Sequence, residues 1–252
     1  MQEERYVRGS SYPVDQLAVN FGNARLLLMG VGLGLLAMLV GLRVLPVEST
    51  PLLVKVMGML SASVACGAVG AYVGRNLSGW MAIIGIFALM LLGIFIIPMA
   101  GSGILGTGLL LGWGFVVGMS LGPLVGMAVD VEGPAIVLQA FTGTTAIMMI
   151  TGFIALATGI DFSFLGPLFL LGVIGMVVVG LIGCFVKFSR GFGLAYSVLG
   201  IVIFSGGFLY KFFRLSQAEN TWDAALRHTM SLYLTFVNLF SFILQFLLHR
   251  RR

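Results

Sequence analysis

The stretch Ser231–Phe240, SLYLTFVNLF, lies inside the last apolar run of the chain and decides what kind of fold this sequence can form. The run continues as SFILQFLLH and ends at the basic residues Arg250–Arg252. Its polar residues are spaced by 4, 3 and 7 positions, so a helix would align them in one stripe: Ser231, Thr235, Asn238 and Gln245. Bulky apolar side chains cover most of the remaining surface. Whether that surface meets lipid or protein depends on the rest of the chain.

The composition indicates a membrane protein. Apolar residues make up 59% of the chain and charged residues 9%, against roughly 25% charged in a typical soluble domain. No charged residue occurs between Asn76 and Val129, or between Gly133 and Ile160. The net charge of +5 comes from basic residues at segment ends and at the C-terminus, which suits anionic lipid headgroups. We therefore expect the lipid bilayer as surroundings and no nucleic acid partner.

The apolar runs predict an all-α, polytopic transmembrane helix bundle with about eight spans. Each run is long enough to cross a bilayer, and none alternates as a β-strand would. A single transmembrane domain is predicted over 25–248, between a polar tail at 1–24 and a basic tail at 249–252. The N-terminal tail lacks the basic region of a removable signal peptide. The runs lie near 25–45, 52–73, 80–98, 102–122, 134–157, 164–186, 192–210 and 229–248.

A glycine ladder marks the fourth run, with glycine at every fourth residue: Gly114, Gly118, Gly122 and Gly126. Membrane helices associate through close backbone approach, because lipid supplies little hydrophobic force between them. The ladder therefore predicts a tightly packed helix. A hinge at this place, helped by Pro123, is the alternative.

No catalytic constellation is apparent, so no enzyme is predicted. GSGILG at 101–106 and GMSLG at 118–122 match nucleotide-binding and nucleophile-elbow patterns. Both patterns need a strand that leads into a helix, and the predicted context is a membrane helix. The histidines are far along the chain, and no acidic residue is central in an apolar run. We expect Cys66 and Cys184 to be small buried residues, with no metal or cofactor.

Polar residues within the apolar runs could mark a path through the bundle. Gln139, Thr142 and Thr145 of the fifth run are predicted to line a cavity, and ordinary hydrogen bonding between helices is the alternative. Asp130 and Glu132 precede the next helix. They could favour its N-terminus through the helix dipole, or form a cation-attracting mouth.

Several pieces in order, SLGPLV, GPAIVLQAFTGTTAI, DFSFLG, AYSVLGIVIFSGGFLY and SLYLTFVNLF, resemble the transmembrane Bax inhibitor motif proteins and their bacterial relatives. These pieces cover about residues 119–245. The resemblance implies a compact helical bundle, usually of seven spans with the last one central, in a bacterial inner membrane. One extra apolar run, before residue 100, then lies outside the family core.

The chain departs from the family at two positions. Members with a proposed pH-sensitive calcium leak carry aspartates that can share a proton, where this chain has Lys211 and Thr235. Some bacterial relatives that modulate the membrane-anchored FtsH-type AAA protease also lack the second aspartate. The resemblance therefore predicts a regulator in membrane-protein quality control, with a leak for Ca²⁺ or other cations as the alternative. The predicted gate and central-helix positions are Lys211, Tyr233, Thr235, Asn238 and Gln245.

Overall fold

The computed structural model describes residues 51–77, 91, 93, 95–97, 104–183, 186 and 189–251. These residues form six long helices, and those at 91, 93 and 95–97 are also helical. The helices are α1 Leu52–Gly74, α2 Ile104–Glu132, α3 Ala135–Ala157, α4 Leu165–Gly183, α5 Arg190–Ser216 and α6 Trp222–Arg251. All six are long and apolar enough to cross a membrane, and the described part of the chain contains no strand.

The prediction of an all-α transmembrane bundle is therefore confirmed. The predicted first span, at 25–45, lies outside the described residues, and most of the predicted span at 80–98 does as well. The total of eight spans and the domain boundary at residue 24 remain predictions.

Several helices extend beyond the apolar runs that predicted them. α2 continues to Glu132 instead of ending near 122, and α6 begins at Trp222 instead of 229. Local polar interactions support the start of α6. Thr221 Oγ1 accepts a hydrogen bond from the Ala224 N–H at 3.1 Å, and Asp223 forms a 2.9 Å ion pair with Arg227 one turn later. Hydropathy marks the membrane-embedded length of a helix and does not report where its hydrogen bonding ends.

The last helix lies at the centre of the bundle. α6 packs against α1, α2, α3 and α5, whereas α4 packs mainly against α5. The bulky residues Phe236, Leu239 and Leu244 are buried, whereas Thr235 is the one buried residue of the polar stripe and the other three are half-buried. The expected central placement is thus confirmed. Neighbouring helices surround α6 on most sides, so its bulky side chains meet protein as well.

The glycine ladder lies along the interface of α2 with α1. A methyl group at Gly118 would overlap the carbonyl oxygen of Gly67, and one at Gly122 would overlap the backbone of Gly74. The two backbones are therefore in direct contact, as close packing of membrane helices requires.

The ends of this interface are slightly less crowded. An added Cβ would lie 3.1 Å from the Ser63 carbonyl oxygen at Gly114, and 3.0 Å from the Arg75 carbonyl oxygen at Gly126. α2 continues as a helix through Pro123. The glycine spacing thus serves close contact between α1 and α2, which run parallel.

Candidate functional site between α5 and α6

Lys211 of α5 contacts α6 at the polar stripe. Its ammonium Nζ donates a hydrogen bond to the Ser231 carbonyl oxygen at 2.7 Å and a second one to the Thr235 hydroxyl. Thr235 is 1% exposed, and its hydroxyl donates to the same Ser231 carbonyl at 3.0 Å. The three groups form a closed set in which each polar atom has a partner.

An aromatic ring completes the surroundings of the ammonium. The centroid of the Phe169 ring, on α4, lies 4.9 Å from Lys211 Nζ, within the range of a cation–π contact. A methyl group at Gly207 would overlap this ring, so the glycine allows Phe169 to approach α5. Lys211 therefore joins α4, α5 and α6.

The partners of Lys211 are all neutral groups. Among the residues that the structure describes, no carboxylate lies within ion-pairing distance of it. A carbonyl dipole, a hydroxyl and a ring face stabilise the ammonium without cancelling its charge. This arrangement holds a basic side chain between the helices, and it occupies oxygens that a permeating cation would need in place of water.

Tyr233 lies on a different side of α6 from Thr235. It lies two residues from Thr235, and residues at that spacing point to roughly opposite faces of a helix. Its hydroxyl donates to the Gly114 carbonyl at 2.7 Å, and its ring meets the Trp113 ring edge-on at a centroid distance of 5.9 Å. The side chain is 1% exposed. Tyr233 thus attaches α6 to the glycine interface of α1 and α2.

The other predicted positions on α6 do not join Lys211. Asn238 is half-buried and donates to the Leu234 carbonyl of its own helix at 2.7 Å. Gln245 is half-buried, and its backbone carbonyl pairs with His249 Nδ1 at 2.7 Å. Of the five predicted positions, the structure brings together Lys211 and Thr235.

The cavity lining on α3 stays a prediction, and none of its three residues is fully buried. Gln139 and Thr142 are exposed, and the half-buried Thr145 donates to the Phe141 carbonyl of its own helix at 3.0 Å. The buried threonines of this helix are Thr144 and Thr151, and they also bond to carbonyls of α3. α3 carries apolar residues on all of its sides, so its hydropathy pattern gave no indication of which side packs inward.

Asp130 and Glu132 belong to the last turn of α2. Pro134 precedes α3 without a side-chain capping hydrogen bond, and Gly133 makes the turn with φ +79°. The helix-dipole role of these carboxylates and the cation-attracting mouth both stay predictions. Asp130 is exposed at the end of the bundle that carries Arg75, whereas Lys211 lies in the other half, so the structure does not bring the two sites together.

Sequence reasoning missed the residues that surround Lys211. Phe169 is one of many phenylalanines, and the Ser231 carbonyl is a backbone group, so neither has a recognisable pattern. It also missed a hydrogen bond from Lys55 of α1 to Asn220, between α5 and α6. The sequence signal for that contact was Lys55 itself, a single lysine near the start of an apolar run.

Comparison with known proteins identifies the family. The family model described as Bax1-I, inhibitor of apoptosis-promoting Bax1, matches residues 50–252. An uncharacterized protein of Borreliella burgdorferi is 29% identical over 219 residues, which cover 79% of this chain and 92% of that protein. An uncharacterized membrane protein of Vibrio cholerae is 31% identical over 140 residues, or 54% of this chain and 61% of the relative.

The similarity extends to a plant protein. LIFEGUARD 4 of Arabidopsis thaliana is 30% identical over 119 residues, which cover 46% of this chain and 48% of that protein. The chain thus spans about half the length of several relatives that it matches. The family match covers most of the chain, so the predicted resemblance is confirmed. The chain belongs to the Bax inhibitor family and is a multi-pass integral membrane protein.

Proposed function

We propose that this member of the Bax inhibitor family is a regulator and binding partner in membrane-protein quality control. Its partner would be a membrane-anchored AAA protease of the FtsH type, in a bacterial inner membrane, and the chain itself would have no catalytic activity. The observation that carries the proposal is the hydrogen bonding of Lys211 to Thr235 and to the Ser231 carbonyl between α5 and α6.

This contact argues against a conducting bundle. A path for cations needs oxygen atoms that are free to replace water around the ion, and it needs little fixed positive charge. Here the lysine ammonium already occupies the oxygens of Ser231 and Thr235. A bundle whose interior oxygens are occupied in this way does not need to conduct ions. Its lipid-facing surface can still bind another membrane protein.

The choice of a protease as partner rests on the family resemblance. Bacterial relatives that modulate an FtsH-type protease also lack the aspartate at the place of Thr235. The geometry supports the same role, because Thr235 serves as a hydrogen-bond acceptor for Lys211 and not as a proton-sharing carboxylate.

The test is co-reconstitution of this chain with an FtsH-type protease in liposomes. We expect the chain to cross-link to the protease and to change the rate at which a membrane substrate is degraded. An unrelated membrane protein at the same lipid ratio is the control. If neither cross-linking nor a rate change exceeds this control, the regulatory proposal fails.

A cation leak is the alternative function. It draws on the exposed carboxylate of Asp130 at one end of α2 and on the oxygen groups around Lys211. Calcium and proton flux across a pH series in proteoliposomes separates the two proposals. A strong, pH-dependent calcium leak through the wild-type chain would favour conduction over regulation.

A further inference from the structure

A second buried lysine lies at the start of α1. Lys55 is 7% exposed, and its ammonium donates to the Asn220 side-chain oxygen at 3.1 Å. Within the described ranges, no carboxylate pairs with Lys55, and the ion pair found there joins Asp223 to Arg227. An ammonium carries three donors, so two of them have no protein acceptor in this part of the chain. A buried charge with a single amide partner calls for further acceptors.

A second donor lies in the same region. The indole Nε1 of Trp222 is shielded from solvent and has no hydrogen-bond acceptor among the described residues. Trp222 begins α6, two residues after Asn220. Buried indole N–H groups are usually hydrogen-bonded, so this one also calls for an acceptor.

The packing of α1 on α6 places both donors at one level of the bundle. Tyr233 of α6 lies against Gly67 of α1, and Asn220, just before α6, bonds to Lys55 of α1. Both pairs have nearly the same sequence offset, so the two helices run parallel and start at the same end. Lys55 and Trp222 are therefore at the same end of their helices, near the expected membrane surface.

We propose that Lys55 and Trp222 bind a phosphate oxyanion, supplied by the headgroup of an acidic phospholipid. The two unused N–H groups of Lys55 and the indole N–H are donors only, so they select an acceptor-rich group. The positive charge selects an anion. Lysine and tryptophan near helix ends lie at the depth of lipid headgroups. Arg227 is exposed and already paired with Asp223, whereas Lys55 is buried and donates to a single amide oxygen.

The test uses the full chain in detergent with added phosphatidylglycerol, phosphatidylcholine or inorganic phosphate. Retained lipid is counted by native mass spectrometry, and the melting temperature is recorded for each addition. The variants are Lys55→Met, which keeps the length of the side chain, and Trp222→Phe, which keeps an aromatic ring. Arg227→Met is the control, because it removes one positive charge from the same end at an exposed position.

We expect phosphatidylglycerol to be retained and to raise the melting temperature of the wild type more than phosphatidylcholine does. Lys55→Met and Trp222→Phe should each weaken retention about tenfold, as expected for loss of a hydrogen bond to a charged group, while Arg227→Met retains the lipid. If inorganic phosphate alone raises the melting temperature of the wild type but not of Lys55→Met or Trp222→Phe, the oxyanion site stands and its ligand is the free ion. The proposal is overturned if both lipids are retained equally and raise the melting temperature equally. It is also overturned if the effect of phosphatidylglycerol persists in both variants, since the donors would then hold only ordered water.

Discussion

Lys211 donates a hydrogen bond to the Thr235 hydroxyl across the interface of α5 and α6, although the two residues are 24 positions apart in sequence. The same ammonium bonds to the Ser231 carbonyl, which also accepts from Thr235. A lysine side chain is thus held inside a transmembrane bundle by neutral oxygens and one aromatic ring. These contacts determine how the site responds to substitution.

The coupling between Lys211 and Thr235 can be measured with a double-mutant cycle. Thr235→Val leaves the ammonium with the Ser231 carbonyl as its remaining oxygen partner, and we expect it to lower the free energy of unfolding by about 1–3 kcal/mol. Lys211→Met should change it less, because an apolar replacement of a buried charge is often tolerated. In the double variant, most of the Thr235→Val effect should disappear. Strictly additive effects in detergent unfolding would contradict a direct interaction.

Replacing both residues by aspartate should create a pH-dependent cation leak. Two adjacent carboxylates share one proton at low pH, and loss of that proton at higher pH makes them repel each other and attract cations. Flux in proteoliposomes of the variant Lys211→Asp with Thr235→Asp should therefore rise with pH.

Two controls accompany this experiment. Thr235→Asp alone should not leak, because Lys211 can pair with the new carboxylate. The variant Lys211→Asn with Thr235→Asn changes size similarly without adding charge, and its flux should not follow pH. The same pH dependence in the asparagine variant would exclude proton sharing as the cause.

The contact between α1 and α2 predicts a position-dependent effect of alanine. Gly118→Ala adds a methyl group that overlaps the Gly67 carbonyl, and overpacking of this kind costs about 1–3 kcal/mol. Gly112→Ala is the matched control on the same helix, because an added Cβ there meets no atom within 4 Å. Thermal unfolding in detergent should show a lower melting temperature for Gly118→Ala and no loss for Gly112→Ala. Similar melting temperatures of both variants would mean that α1 and α2 can move apart to accept the methyl group without loss of stability.

The hydroxyl of Tyr233 should contribute to stability independently of its ring. Tyr233→Phe removes the donor to the Gly114 carbonyl while the ring can keep its contact with Trp113, and we expect a loss of about 1–2 kcal/mol. Tyr72→Phe is the control, because Tyr72 is 41% exposed. Equal unfolding midpoints for the two variants would show that the buried hydrogen bond contributes no more than an exposed hydroxyl.

The orientation of α3 and α6 can be tested with lipid-phase labels. Single cysteines are introduced into a variant without Cys66 and Cys184. Cysteines at Thr235 and Phe236 should resist labelling, because these positions are 1% and 6% exposed. Cysteines at Thr142 and Phe153 should react readily, since Thr142 is exposed and Phe153 is 73% exposed. Labelling of Phe236 at the rate of Phe153 would contradict the central position of α6.

The sequence by itself determined the class of protein and the existence of its helices. Charge-free apolar runs can satisfy their backbone groups in lipid only as helices, so composition and run length suffice for that conclusion. Regular glycine spacing also carried local information, because close backbone approach needs the absence of a side chain every turn. The polar stripe of α6 and the family motifs indicated that the last helix is central.

The tertiary structure alone decided which side of each helix faces the interior. Gln139 and Thr142 were expected inside and are exposed, whereas Phe236, which no pattern placed inside, is buried. Lipid and protein interior are similarly apolar, so hydropathy does not distinguish the two sides of a membrane helix. The bond of Lys211 to Thr235 depends on the crossing of α5 and α6, and the bond of Lys55 to Asn220 depends on the packing of distant segments. These two contacts arise from the packing of helices distant in sequence, and no local pattern around either lysine encodes them.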